Sequence, residues 1–109
     1  MSDSLIAGLD QTQLLGLYHS LVLTRAAEER LEMLQKQGHV TGEIYRSFGQ
    51  EAGAAGAAFA LNRQTDGTGD FLAPTVRAAG ALFLFGGELV DFFRQYMGRV
   101  TGPTEGKEA

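Results

Sequence analysis

Hydrophobic residues recur with a helical period along the first third of the chain. Asp10, with Gln13 three positions later, precedes this stretch as a capping pair, and Gly38 supplies a residue that tolerates the left-handed backbone at a helix end. The pattern predicts a helix over residues 11–37. Its apolar stripe comprises Leu14, Leu17, Tyr18, Leu21, Val22, Leu31 and Leu34.

Charged residues interrupt the middle of this stripe at Arg25, Glu28 and Glu29. Arg25 and Glu29 are four positions apart, so their side chains can pair along one face of the helix. Such a pair is either a solvated surface pair or an inward-facing pair that orients neighbouring elements. The pattern leaves both interpretations open.

A second helix is predicted over residues 48–61, where nine of the fourteen residues are Ala or Gly. Glycine inside a helix costs about 1 kcal/mol relative to alanine, so the three glycines need a reason. Small residues at positions 49, 53, 57 and 60 fall on one face and would allow another backbone to approach closely. The alternative is an alanine-rich helix without any functional contact.

The remaining pattern predicts one strand and two shorter helices. A turn-rich stretch over residues 62–70 leads into a short apolar run at 71–75, which we expect to be a strand. Helices are expected over residues 77–85 and 88–97, separated by Gly86 and Gly87 and ended by Gly98. A lone strand leaves its edges unpaired, so either the run is not a strand or its sheet lies outside these 109 residues.

Composition excludes several classes of protein. The chain has 109 residues, no cysteine, and a net charge of −4 without a basic run, so we expect no disulfide framework and no nucleic-acid partner. Neither a targeting sequence nor a membrane-spanning run is evident, which makes a cytoplasmic protein without membrane contacts the default. The two histidines, His19 and His39, belong to no catalytic or metal-ligating motif, so we assign no catalytic residue and no metal ligand.

Arg77 is the strongest candidate for ligand binding. It follows the predicted strand and opens the predicted helix, and anionic ligands bind where strand ends meet helix N-termini in parallel α/β folds. The alternative is an ordinary surface arginine.

The order of several motif blocks resembles the opening of the alpha subunit of thiamine diphosphate-dependent 2-oxo acid dehydrogenases of the branched-chain, pyruvate and acetoin types. The most specific block is Gly-Gln-Glu-Ala at residues 49–52, inside the helix rich in Gly and Ala. The resemblance extends from Leu14 to the end, through blocks at residues 14–25, 28–31, 37–38, 47–52, 74–81 and 97–108.

This resemblance implies an α/β fold, in which the chain is the N-terminal, mostly helical part of a thiamine diphosphate-binding, doubly wound parallel-sheet domain with one strand in this chain. The implied activity is oxidative decarboxylation of a 2-oxo acid on thiamine diphosphate, with acyl transfer to lipoyl. The implied partners are a beta subunit, in a heterotetramer, and a lipoyl-bearing acyltransferase.

Three site residues follow from the resemblance. Arg77 matches an arginine that contacts the cofactor's phosphates, for which a guanidinium is well suited. Val76 occupies a cofactor-contacting position that is often aromatic, and valine has no polar group to offer there. Tyr45 matches a substrate-side histidine of pyruvate-type members, and its phenol does not titrate near neutral pH.

The family's Mg²⁺ is held by a Gly-Asp-Gly-type motif and a downstream Asn, and the 109 residues contain neither. We therefore expect a portion of the alpha subunit that is cut before its metal site and is inactive alone. The competing hypothesis is a non-catalytic helical interaction protein derived from the same family.

Overall fold

The computed structural model describes residues 8–64, 66 and 68–106. Within this part of the chain the regular structure is helical, and no strand is formed. The helices are α1 (Gln11–Lys36), α2 (Glu51–Phe59), α3 (Ala79–Leu84) and α4 (Leu89–Tyr96).

The ends of α1 follow the sequence signals. The Gln13 backbone N–H donates to Asp10 Oδ1 at 2.8 Å, and the Asp10 N–H donates to Gln13 Oε1 at 3.0 Å, which confirms the capping box. Past the other end, Gly38 has a φ of 84°. Gly86 and Gly98, at 91° and 65°, likewise follow α3 and α4.

The buried face of α1 coincides only in part with its apolar stripe. Tyr18 is 66% exposed, and Leu15 and Val22 are exposed as well. The side chains that face the body of the protein are small, polar or charged, with one leucine among them, and they are Ser20, Thr24, Ala27, Glu28 and Leu31. The apolar period therefore predicts the helix correctly but identifies its buried side only in part, through Leu31 and Leu34.

A close contact between α1 and α3 accounts for the small residues on this face. Gly80 of α3 lies against Thr24, so close that a β-carbon at Gly80 would be 2.9 Å from Thr24 Oγ1. That hydroxyl group donates to the Ser20 carbonyl oxygen at 2.7 Å. The two helix backbones can approach this far only because position 80 has no side chain.

The glycines of α2 have no such contact. No atom of the described residues lies within 4 Å of a β-carbon built at Gly53 or Gly56, and positions 49, 53, 57 and 60 are all exposed. The face of α2 that packs consists of Glu51, Ala55 and Ala58. The predicted close approach to the small-residue face is therefore not made by the described residues.

The hydrophobic core lies where α1, α3 and α4 meet. Phe92 of α4 packs edge-on against Phe83, Phe93 and Tyr96, with ring centroids 5.2–5.3 Å apart. The buried members of this cluster are Ala27, Leu31, Val40, Ala79 and Phe92. This core fixes the position of α3 and α4 against the C-terminal half of α1.

The prediction of a strand over residues 71–75 is wrong, because this segment is irregular in the structure. The segment has no ladder partner within the described part of the chain, and Phe71 is 82% exposed. A strand requires a neighbour for its backbone groups, and the described residues provide no second strand. The turn-rich stretch before it closes on itself instead, because the Asp70 N–H donates to the Asn62 carbonyl oxygen at 2.7 Å.

Arg25 joins α1 to α2. Its Nε donates to Glu51 Oε2 at 2.5 Å, and its guanidinium lies 4.6 Å from the centroid of the Phe48 ring. The hydrogen bond from Arg25 lowers the pKa of Glu51, and the backbone N–H of Gly49 lowers it further, while burial opposes both effects. Arg25 thus orients a neighbouring helix, but through Glu51 rather than Glu29.

None of the helices in the described ranges is both long enough and apolar enough to cross a membrane.

We predict that Gly80→Ala destabilises the protein by about 1–3 kcal/mol, because the added methyl group collides with a stiff, hydrogen-bonded threonine. Gly53→Ala is the matched control and should stabilise by about 0.5–1 kcal/mol, since that helical position is open. Urea denaturation of the two variants measures both values. A stabilising Gly80→Ala would contradict the close contact between α1 and α3.

We also predict that Arg25→Gln lowers the free energy of unfolding at pH 7, and that this loss shrinks in acid. A carboxyl group whose pKa is lowered in the folded protein contributes stability above its unfolded pKa, and that contribution is lost as pH falls through the lowered folded pKa. The midpoints of urea denaturation, compared between the variant and the original protein from pH 7 to pH 3, measure this pH dependence. Arg30→Gln is the control, because Arg30 contacts the Met33 sulfur instead of a carboxylate. An effect of Arg25→Gln that is constant with pH would exclude a contribution from the ion pair.

Candidate functional site

The structure brings together two of the three predicted site residues. Arg77 Nη1 donates to the Arg46 carbonyl oxygen at 3.1 Å, and its guanidinium lies 5.4 Å from the centroid of the Tyr45 ring. Val76 precedes Arg77 in the same turn and is 63% exposed. Arg77 lies two residues before α3 instead of opening it.

Arg77 and Tyr45 line a shallow pocket of about 370 Å³ between the C-terminal end of α1 and the segment that returns after it. Val76 is not part of its wall. The lining residues are Glu32, Gln35, Lys36, Glu43, Ile44, Tyr45, Arg46 and Arg77.

The charges of this pocket are unequally paired. Glu32 lies 2.8 Å from Arg46 and 3.7 Å from Lys36, and the hydrogen bond from Arg46 lowers the pKa of Glu32. Arg77 donates to a neutral carbonyl oxygen and, among the described residues, has no carboxylate partner. Its positive charge is therefore available to an anion that enters the pocket.

The segment that carries Tyr45 is fixed from two helices. Glu28 Oε1 of α1 accepts from both the backbone N–H and the hydroxyl group of Ser47, each at 2.8 Å. From α4, the Tyr96 hydroxyl group contacts the backbone of Tyr45. Burial raises the pKa of Tyr96, and the nearby backbone of Tyr45 opposes that rise. The site is thus built on the packed core.

Sequence reasoning did not assign Glu28, Arg46 or Ser47 to the site, although it noted Glu28 as a charge within the apolar stripe of the first helix. The signal for Glu28 was its position, because it shares a helical face with Thr24 and Leu31. A charged residue on such a face is buried only with partners. Arg46 and Ser47 carry no comparable signal, since both lie in an irregular segment.

The residues present fit the phosphate end of a diphosphate cofactor. A guanidinium has five N–H donors, and Arg77 uses one of its nitrogens for the Arg46 carbonyl oxygen, which leaves donors for phosphate oxygens. In the described part of the chain, no cluster of three His, Asp or Glu side chains could hold a metal ion.

A larger groove of about 480 Å³ lies between α1 and α2, lined by Arg25, Glu51 and mostly apolar neighbours. None of the predicted site residues lines it, and its arginine is paired with Glu51. We therefore place the candidate site in the smaller pocket, where a cation without a carboxylate partner is present.

Comparison with known proteins gives one family and two named relatives. The family described as "Dehydrogenase E1 component" matches residues 18–109. The "2-oxoisovalerate dehydrogenase subunit alpha" of Bacillus subtilis is 30% identical over 99 residues, and the mitochondrial "Pyruvate dehydrogenase E1 component subunit alpha" of Schizosaccharomyces pombe is 32% identical over 95. No solved structure matches the chain.

These alignments cover 91% and 87% of this chain but only 28% and 22% of the two relatives, so the chain spans about a quarter of their length. Both relatives carry names of alpha subunits, as the order of motif blocks implied. Since the family match takes in nearly all of the sequence, this chain belongs to the dehydrogenase E1 component family, with alpha subunits of 2-oxo acid dehydrogenases as its relatives.

Proposed function

We propose that this chain is the helical part of an alpha subunit in which Arg77 binds the diphosphate of thiamine diphosphate. The enzyme oxidatively decarboxylates a 2-oxo acid and passes the acyl group to lipoyl on an acyltransferase. A beta subunit completes the active site, and the Mg²⁺ ligands lie outside the residues described. The doubly wound parallel sheet and the cytoplasmic location expected from the sequence also remain proposals.

This proposal is supported by the exposure, position and charge pairing of Arg77. It is exposed, it lines a pocket, and of the pocket's three cations it is the one without a carboxylate partner in the described ranges. A cation held by a neutral carbonyl oxygen keeps its full charge for an anionic ligand, and a guanidinium can donate two parallel hydrogen bonds to phosphate.

Tyr45 is proposed as a substrate-side residue. Its ring lies near Arg77, and its hydroxyl group donates to Glu43 Oε2 at 3.1 Å. A phenol can donate a hydrogen bond to a carbonyl or carboxylate oxygen. Tyr45 therefore suits binding and orientation of the 2-oxo acid.

We predict that Arg77→Ala, in the assembled enzyme whose alpha subunit carries this sequence, weakens thiamine diphosphate binding by about 10- to 150-fold, the range expected for loss of a charge-assisted hydrogen bond. Arg77→Lys should recover part of the affinity, since lysine keeps the positive charge but lacks the paired N–H donors of the guanidinium. Arg63→Ala, at an exposed arginine outside the pocket, is the control. Calorimetric titration measures the affinities, and an unchanged affinity in Arg77→Ala would remove Arg77 from the cofactor site.

We further predict that Val76→Tyr strengthens thiamine diphosphate binding by about 2- to 10-fold, because the hydroxyl group adds one hydrogen bond that valine lacks. The exposure of Val76 leaves room for the ring. Val76→Phe is the matched control, because it adds the ring without the hydroxyl group. Equal affinities of the two variants would show that no polar contact to the cofactor is made at this position.

A further inference from the structure

The peptide group between Arg46 and Ser47 is held on both sides. Its N–H donates to Glu28 Oε1 at 2.8 Å, and its C=O accepts from Arg77 Nη1 at 3.1 Å. The two groups belong to one rigid plane and point in opposite directions, because a peptide bond is planar and trans. Any rotation that moves the N–H away from Glu28 therefore turns the C=O away from Arg77.

Glu28 is the fixed end of this arrangement. Its side chain and Ser47 are each 0% exposed, and the Ser47 hydroxyl group donates to the same carboxylate oxygen. The second oxygen, Oε2, is buried and has no hydrogen-bond partner among the described residues. A buried carboxyl group with two donors on one oxygen has little freedom to move, so it fixes Ser47 against α1.

The hydrogen bond to Glu28 also polarises the peptide group between Arg46 and Ser47. An N–H that donates to a carboxylate polarises its amide, and the carbonyl oxygen of that amide becomes a stronger acceptor. In this structure that oxygen holds Arg77. Glu28 thus acts on the position of the guanidinium and on the strength of its attachment.

We infer that Glu28 is a positioning residue for Arg77, acting through the peptide group between Arg46 and Ser47. The link from Arg77 to the cofactor diphosphate rests on the function proposed above, whereas the link from Glu28 to Arg77 does not. Glu28 orients the guanidinium from the protein interior without contacting the ligand.

Glu28→Gln is the most informative variant. It keeps the shape of the side chain and an oxygen that can accept from Ser47, but it removes the charge that polarises the peptide group. Ser47→Ala is the second variant, because it deletes the hydroxyl donor and leaves the backbone N–H in place. Glu29→Gln, at the adjacent and exposed carboxylate of α1, is the matched control.

The first experiment observes Arg77 itself in the chain without ligand. We expect Glu28→Gln to shift the ¹⁵N signals of the Arg77 guanidinium and to speed its rotation about the Cζ–N bonds, because its hydrogen bond weakens. Arg77→Lys assigns these signals, and Glu29→Gln should leave them unchanged. Where Glu28→Gln fails to fold, as circular dichroism would show, Ser47→Ala is the fallback: it removes one of the two donors that fix Glu28 and should shift the Arg77 signals in the same direction by a smaller amount. Unchanged Arg77 signals in a folded variant would overturn the inference.

The second experiment is a double-mutant cycle on thiamine diphosphate affinity in the assembled enzyme. We expect Glu28→Gln to weaken binding by about 2- to 10-fold when Arg77 is present and to have no effect beside Arg77→Ala, as for directly coupled residues. An equal loss in both backgrounds would show a general structural role and overturn the inference.

The two experiments separate the inference from the proposed function. Shifted Arg77 signals, together with an affinity that Arg77→Ala leaves unchanged, would refute the cofactor role of Arg77 and support the link from Glu28. Unshifted Arg77 signals, together with an affinity that is lost in Arg77→Ala, would refute the link from Glu28 and support the cofactor role of Arg77.

Discussion

Burial of the Glu28 carboxyl group is the constraint on which the rest of this structure depends. A carboxyl group removed from water costs free energy unless donors replace the lost hydration, and Ser47 provides two. The chain after α1 must therefore turn back and run beside the helix. That return places Tyr45 and Arg46 at the wall of the pocket, next to Arg77.

The packing of α1 follows from the same face of the helix. Thr24 and Ala27 are small enough for α3 to lie close, and Gly80 completes the contact. Leu31 is the largest fully buried side chain of α1, whereas Leu15, Tyr18 and Val22 are exposed. The apolar stripe of α1 therefore faces the core only in part, unlike that of a typical surface helix. Close packing of small side chains, together with burial of Leu31, decides how α1 sits in the fold.

Fold and site are joined through hydrogen bonds that cross between elements. Arg25 and Glu28, three positions apart on α1, each bind a different later segment, α2 through Glu51 and the returning loop through Ser47. The pocket therefore has a rigid wall on one side and an exposed guanidinium on the other. A guanidinium presented from a packed scaffold, without a carboxylate partner among the described residues, fits the proposed role of an alpha subunit in holding a cofactor shared with a second subunit.

The sequence by itself determined the features that depend on near neighbours: the capping box at Asp10, the glycine after each of three helices, the helical periods, and the ordered motifs that place the chain in its family. It also singled out Arg77 and Tyr45, which the structure brings together. Tertiary structure alone decided which face of α1 is buried, that residues 71–75 form no strand, and that Arg25 pairs with Glu51. These outcomes depend on residues far apart in the chain, and a local period carries no information about which distant partner is available.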